Sequence, residues 1–355
     1  PSRERNPPSR WGTWVPSVQQ TANVCHGVTP HPPVKHSCHA TGLEEFDNPT
    51  LKQALSSSQK QQWIEAISEE LESLLEAETW DAVPHAPPGK RVFPSKFVLK
   101  VKRNSDRTIE RYKARLVLLG HLQRQNIDFF ETYSPVVDFT AVRIALTIAC
   151  QERMAIHHLD VKCAFLYGYL DEEIYMRLPQ EYQSPDGSVC RLKKSIYGLK
   201  QAPRAWNARL TDDLKRLGYQ PFLHAECIFW REKEGIKVFL LIYVDDFLLV
   251  TSTTVESDIL QIKSEIGKLY KIKDLGRAEY FLGINLEYSS GFIKLSQSTY
   301  IRKILERFRM EQCKPVISPM LPRALVSDRE EMTNEETNNM MTTPYREAIG
   351  ALMFL

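Results

Sequence analysis

Between Leu240 and Val250 the chain reads Leu-Leu-Ile-Tyr-Val-Asp-Asp-Phe-Leu-Leu-Val, two strand-length apolar runs meeting at Asp245 and Asp246. Apolar runs of this length and composition favour strands, and the acids fall where a tight connection between them would lie. The stretch predicts an antiparallel hairpin with its carboxylates at the tip. Removing such carboxylates from water is expensive unless cations accompany them. Two readings are open: a solvated turn, or acids that hold divalent metal ions of the kind used in phosphoryl transfer.

The rest of the chain limits the choice. A length of 355 residues allows two or three domains' worth of core, and 43% apolar with 25% charged residues fits a globular protein. The net charge of +2 says little, but its distribution is informative. Residues 90–124 carry eleven lysines and arginines against two acids, Asp106 and Glu110, which points to a polyanionic partner. Seven cysteines without pairing spacing predict reduced thiols and an intracellular setting. No apolar run reaches the ~18 residues of a membrane span. The chain opens on Pro1 with no signal-peptide pattern and is read as a piece of something longer.

Residues 1–48, rich in Pro, Ser and His, are expected to be a disordered leader whose Cys and His spacing matches no usual zinc finger. A helix follows over 59–79, with Trp63, Ile64, Ile67, Leu71, Leu74 and Leu75 on one stripe and Glu65, Glu69, Glu72 and Glu76 covering the rest. Two strands then alternate strictly. Phe97, Leu99 and Val101 alternate with Lys96, Lys100 and Lys102, and Tyr112, Ala114, Leu116 and Leu118 with Arg111, Lys113 and Arg115. Period two gathers the cations on one face, suited to phosphates or simply solvated, and Ser105-Asp106-Arg107 is the expected turn. A helix over 141–152 leads to a strand over 156–161 that delivers Asp160 near its end. Asp171, Glu172 and Glu173 read as solvent-facing, and Ser184–Gly187 as a turn. Pro203 suits the first turn of a helix whose stripe is Trp206, Leu210, Leu214 and Leu217, stopped by Gly218. Beyond the hairpin come a helix marked by Ile259, Ile262 and Ile266 and a second hairpin of Tyr280–Tyr288 with Phe292–Leu295. A helix capped by Ser298 follows, then a polar linker over 321–343 and a helical start after Pro344.

The order of these stretches resembles the reverse transcriptase of copia-type long-terminal-repeat retrotransposons. The resemblance lies in Arg111-Tyr112-Lys113-Ala114-Arg115, Glu131-Thr132-Tyr133-Ser134-Pro135, Leu159-Asp160-Val161-Lys162-Cys163-Ala164-Phe165-Leu166, Tyr197-Gly198-Leu199-Lys200-Gln201-Ala202-Pro203-Arg204-Ala205-Trp206, Tyr243-Val244-Asp245-Asp246 and Lys273-Asp274-Leu275-Gly276. It covers about residues 60–320.

The resemblance implies an α+β right-hand polymerase. Fingers and a ferredoxin-like antiparallel palm with the start of a thumb would occupy 49–320, and 344–355 would begin a connection region whose RNase H partner is absent. It implies an RNA-directed DNA polymerase with two Mg²⁺ ions, Mn²⁺ being a possible substitute. Asp160, Asp245 and Asp246 would be catalytic, the backbone of Val161 would complete the metal shell, and Asp246 would be the more peripheral acid. Lys113, Arg115, Phe165 and Gln201 would meet the nucleotide, with Phe165 selecting against a ribose 2′-hydroxyl. Tyr243, Val244, Lys200 and Arg204 would meet primer and template. The implied partners are an RNA or DNA template with its primer, deoxynucleoside triphosphates and other polyprotein modules (protease, integrase, RNase H), with no membrane; the implied location is a cytoplasmic particle. Two other readings stand beside it: a relic that grips nucleic acid without copying it, and an unrelated metal-dependent nuclease or transferase. The latter leaves Phe165 and Gln201 unexplained.

Overall fold

The computed structural model describes residues 47–104, 108–183, 186–223, 225–317 and 333–355. The leader up to Phe46, the Ser105–Arg107 turn, the first half of the Ser184–Gly187 turn and most of the polar linker lie outside the described residues.

In chain order the elements are α1 (Leu51–Ser56), α2 (Lys60–Glu76), β1 (Trp80–Val83), β2 (Val92–Arg103), β3 (Ile109–Leu118), α3 (Phe139–Gln151), β4 (Ala155–Val161), β5 (Tyr169–Arg177) and β6 (Val189–Lys194). They continue with α4 (Ala202–Arg216), β7 (Gln220–Phe222), β8 (Ala225–Lys233), β9 (Ile236–Tyr243), β10 (Asp246–Thr251), α5 (Glu256–Gly267) and β11 (Ile272–Arg277). The last are β12 (Tyr280–Phe281), β13 (Ile284–Ser289), β14 (Phe292–Ser296), α6 (Ser298–Arg307), α7 (Asn334–Thr342) and α8 (Tyr345–Met353). The architecture is mixed α+β, in two compact units. Among the described residues one is built from 47–130 with Leu170–Ala202, the other from Glu131–Tyr169 with Pro203–Leu355. Among the described residues no helix is long and apolar enough to cross a membrane.

The first unit holds a five-stranded sheet in the order β1-β6-β5-β2-β3, antiparallel at β1–β6 and β2–β3 and parallel at β2–β5. The alternation of β2 and β3 lays Phe97, Leu99, Ala114, Leu116 and Leu118 on the buried face. α2 buries Trp63, Ile67 and Leu74, and Trp63 meets Tyr112 edge-on at 4.7 Å. β3 is an edge strand, so its outer N–H groups lack a strand partner; Glu70 of α2 accepts from Leu116 N at 2.9 Å. Burial raises the Glu70 carboxyl against the pull of that bond and of Arg115 and Lys113. The end of β3 abuts the Tyr197-Gly198 loop, where Leu118 N donates to Tyr197 O at 2.9 Å. Gly198 has φ +92°, and a Cβ there would overlap the Leu118 carbonyl.

The second unit centres on a six-stranded sheet in the order β11-β4-β10-β9-β8-β7, with every adjacent pair of named register antiparallel. The apolar runs of β9 and β10 do not alternate because both faces are covered. On one face Phe247 and Leu249 join Leu240 and Ile242 against Trp206, Leu210 and Leu214 of α4 and Ile262 and Ile266 of α5. On the other, Leu248, Val250 and Leu241 pack with Val142, Leu146 and Ala149 of α3 and with Phe281 and Leu286 of the three-stranded sheet β12-β13-β14.

Several local expectations are corrected. The Tyr280–Tyr288 stretch is two strands that fold back on each other across a tight turn at Leu282 (φ +47°) and Gly283 (φ +87°), with Tyr280 opposite Asn285 and Phe281 opposite Ile284. Ser298 is the first helical residue rather than the cap; the cap is Gln297, and Ser298 Oγ instead accepts from Asn285 Nδ2 at 3.2 Å. Residues 334–342 of the expected linker are helical. The expectation that Asp171, Glu172 and Glu173 face solvent holds for Asp171 and Glu173, which are exposed on β5, while Glu172 between them is half-buried. There Glu173 accepts from Tyr175 at 2.6 Å and pairs with Lys90 at 3.1 Å.

Behind β4 a buried cation ties the second unit together. Lys263 Nζ of α5 lies 3.0 Å from His157 Nδ1 and 2.8 Å from Asp274 Oδ2. Burial, and then the Lys263 cation, hold His157 below its ordinary value. Burial works to raise Asp274, but hydrogen bonds from Lys263 and the Gly276 N–H outweigh it and hold the carboxyl low.

Two predictions follow from this packing. Gly198→Ala combines positive φ with a backbone overlap and should lower stability by about 3 kcal/mol or more, whereas Gly235→Ala, with φ +78° but open space around it, should lose only about 1 kcal/mol; chemical denaturation separates them. His157 is depressed in the fold, so its contribution is full above 6.5 and is lost as pH falls below that value. The melting temperature should therefore drop between about pH 7.5 and 5, and His157→Gln should flatten that drop.

Candidate active site

The tip of the β9–β10 hairpin is set by strand register. Tyr243 pairs with Asp246, leaving Val244 and Asp245 as the turn. Val244 takes φ +56°, costly for a β-branched residue. Two hydrogen bonds hold this turn in place. Trp206 Nε1 of α4 donates to Val244 O at 2.7 Å, and Val161 N donates to Asp245 O at 2.8 Å. Trp206 is itself wedged between Tyr167 and Tyr270, the latter at 5.0 Å, and Tyr270 donates to buried Asp213 at 2.7 Å. The turn thus rests on an aromatic cluster of the core.

The same register brings distant acids together. β4 and β10 are antiparallel with Asp160 opposite Asp246, so both side chains project from one face. On the other side of β4, Lys273 of β11 is the register partner of Asp160. Asp160 therefore stands in a row between a carboxylate and a lysine. His158 shares that face, two residues back along β4; its Nε2 lies 3.1 Å from Asp246 Oδ1. Asp160, Asp245 and Asp246 are all half-buried, and Tyr243 is exposed. After β4, Cys163 turns at φ +54° into a short 3₁₀ turn, Ala164–Tyr167, where Phe165 lies half-buried against the core. Arg204, near the start of α4, is ion-paired with Glu131.

The remaining predicted residues lie in the first unit. Lys113 faces Lys100 across β2–β3, Arg111 faces Lys102, and Arg115 faces Val98. Like charges directly opposite one another are unfavourable in a sheet without an anion. Lys102 registers the crowding: burial, then Lys100, Arg115 and Arg111, push its ammonium below the ordinary value. The Arg115 guanidinium stacks over Tyr197 at 4.8 Å, and its Nε is buried with no hydrogen-bond partner found among the described residues. Lys200 sits over Phe129 at 4.8 Å. Gln201 is buried, accepting from Gln123 Nε2 at 3.0 Å and donating to Asp128 O at 3.2 Å.

The structure thus gathers Asp160, Val161, Tyr243, Val244, Asp245 and Asp246 around one pinned hairpin, with Phe165 and Arg204 in the same unit. Lys113, Arg115, Lys200 and Gln201 belong to the other unit. Among the described residues no three His, Cys, Asp or Glu side chains converge closely enough to form a metal cage. Sequence reasoning missed His158, Lys273 and Trp206 as neighbours of the site. The period-two spacing of His158 from Asp160 was a usable signal; the partner of Trp206 is a backbone carbonyl, which leaves no trace in side-chain pattern.

A hairpin of this kind, with a strand-borne aspartate beside it, is what the family profile described as Reverse transcriptase (RNA-dependent DNA polymerase) spans in this chain, over residues 77–322. The chain belongs to the reverse transcriptase family. The domain is 40% identical over 311 residues to the retrovirus-related Pol polyprotein from transposon TNT 1-94 of Nicotiana tabacum, covering 86% of this chain and 23% of the relative. It is 34% identical over 331 residues to the Pol polyprotein from transposon RE1 of Arabidopsis thaliana, covering 92% and 22%. It is 26% identical over 311 residues to the transposon Ty1-MR1 Gag-Pol polyprotein of Saccharomyces cerevisiae, covering 84% and 17%. The resemblance to copia-type elements is borne out, and the domain spans about a quarter or less of the length of these polyproteins.

Trp206→Phe keeps the ring packing but removes the donor to Val244 O. Leaving that carbonyl unpaired at a strained turn should cost about 1–3 kcal/mol, measured by denaturant unfolding against the parent domain.

Proposed function

We propose that this domain copies an RNA or DNA template by joining deoxynucleotides to a primer 3′-hydroxyl. The observation that carries the reading is Asp160 held opposite Asp246 across β4–β10, beside Asp245 in a turn pinned by Trp206 and Val161. The donor set fits Mg²⁺, which favours hard carboxylate oxygens. It also fits without a cage, since Mg²⁺ is commonly held by one or two carboxylates plus substrate phosphates. Asp160 and Asp245 would be the principal ligands, with Asp246 more peripheral and the Val161 carbonyl completing the shell. When bound, two such ions supply a lowered pKa for the attacking hydroxyl and charge neutralisation for the departing pyrophosphate, and Mn²⁺ can stand in. In the reaction a bond forms between the primer 3′-oxygen and the α-phosphorus, and the bond from that phosphorus to pyrophosphate breaks.

Lys113 and Arg115 would carry the triphosphate as charge-assisted donors, the stacking of Arg115 on Tyr197 limiting its freedom. Phe165 would crowd a ribose 2′-hydroxyl, and Gln201, through its buried network, would shape the floor near the new base pair. Tyr243, Val244, Lys200 and Arg204 would contact primer and template. In this reading the first unit is the fingers, the six-stranded sheet with its helices is the palm, and α6 begins the thumb. Other polyprotein modules and a cytoplasmic particle complete the setting.

A second reading, a chain that grips nucleic acid without copying it, is favoured by the facing cations Lys100–Lys113 and Lys102–Arg111. Primer extension with Mg²⁺ or Mn²⁺ separates the two. The parent domain should extend a DNA primer on an RNA template. Asp160→Asn, and Asp245→Asn with Asp246→Asn, should each lower the rate by about 10³-fold or more, about 4 kcal/mol of transition-state stabilisation. Absence of extension by the parent while it still binds the hybrid in a salt-sensitive way supports the second reading.

A further inference from the structure

Asp160 and Asp246 project side by side from facing positions in β4 and β10. Two carboxylates so placed repel, and each has rotamers that turn it away from the other. Their neighbours treat them differently. Asp160 has Lys273 opposite it on β11. Asp246 has Tyr243 opposite it on β9, with no charge to steer it. The hydrogen-bond partner found for Asp246 among the described residues is His158, whose Nε2 lies 3.1 Å from Oδ1.

We propose that His158 is a positioning residue for the active site: its imidazole N–H grips one oxygen of Asp246, fixing the rotamer and leaving the second oxygen turned out for metal. An ionised carboxylate only accepts, so the hydrogen of this contact sits on Nε2. The ring itself is held. Its side chain is only 13% exposed, and it stands edge-on to the buried ring of Phe281, 5.5 Å away and nearly perpendicular. Phe281 belongs to the small sheet β12–β14, so the orientation of Asp246 depends on an element that carries no catalytic acid. Asp246 keeps 36% of its side chain exposed, consistent with one oxygen committed and one available. Ligating carboxylates are commonly oriented by such an outer hydrogen bond, and its loss typically weakens metal binding or activity about 10–100-fold.

The role rests on the polymerase reading, and the test keeps the two apart. Mn²⁺ binding to the full chain is followed by electron paramagnetic resonance. The probe is Mn²⁺ with a primer–template whose primer ends in a dideoxynucleotide, plus the matching deoxynucleoside triphosphate. His158→Leu should weaken Mn²⁺ binding about tenfold. It should lower kcat for an extendable primer by a similar factor, with the nucleotide KM within about twofold of the parent. His158→Gln, which returns an N–H donor, should recover most of both. In an Asp246→Asn background, His158→Leu should have no further effect on Mn²⁺ affinity, a coupling that a merely structural role would not produce. Unchanged Mn²⁺ affinity in His158→Leu, with a parent that binds and extends, overturns the role of His158 alone. So does a loss that Gln fails to rescue, or one that persists undiminished beside Asp246→Asn. A parent whose Mn²⁺ binding is indifferent to Asp160→Asn and which extends no primer overturns the polymerase reading, and the role of His158 with it.

Discussion

The antiparallel pairing of β4 with β10 is the constraint on which the site depends. A slip of one residue would send every side chain of a strand to the opposite face. Asp160 and His158 would then point into the layer now filled by Leu159 and Val161, and the facing carboxylates would be lost. The register is held by burial on both faces of β10, where Phe247 and Leu249 pack into one core and Leu248 and Val250 into another. A slip would force His158 and Asp160 into an apolar core, which opposes it strongly. The hydrophobic runs flanking the aspartates are thus the alignment device for the acids between them.

The hairpin turn shows how a strained local conformation is sustained. Val244 at φ +56° is unfavourable by itself, and nothing in a Tyr-Val-Asp-Asp sequence relieves it. Relief comes from Trp206 and Val161, which satisfy the two turn carbonyls. Trp206 is in turn set by Tyr167 and Tyr270, and Tyr270 by Asp213, which also accepts from Arg209 at 2.6 Å and Arg216 at 3.0 Å. The geometry at the tip is therefore supported by a polar anchor deep beside α4. Lys263, His157 and Asp274 support the opposite face of β4 in the same manner.

In the first unit the logic is electrostatic. Two facing pairs of cations on β2–β3, with Lys102 depressed by burial and its neighbours, make a face that gains from an anion. Glu70 of α2 is committed to an edge N–H of β3, and Glu110, within β3, lies 4.0 Å from Arg111. A concentration of cations of this kind on one hairpin suits a polyanionic ligand.

Strongly periodic features were readable from the chain alone. The alternation over 96–118 set the basic face, the helix stripe of Trp206, Leu210 and Leu214 set α4, and the apolar runs set the hairpin with its acids. The first two follow from local periods of 2 and 3.6 residues, the hairpin from the length and strand-favouring composition of its unbroken apolar runs. Strands β1, β5 and β6 were not readable, because they are short or polar-faced and are defined by their partners. The turn at Leu282–Gly283 is likewise defined by its partners, Tyr280 with Asn285 and Phe281 with Ile284. Above all, local sequence names the acids without placing them. That Asp160 faces Asp246, that Lys273 faces Asp160, and that His158 holds an Asp246 oxygen are outcomes of strand register among segments far apart in the chain. Only the competition between two buried cores and the cost of burying charge could decide that register.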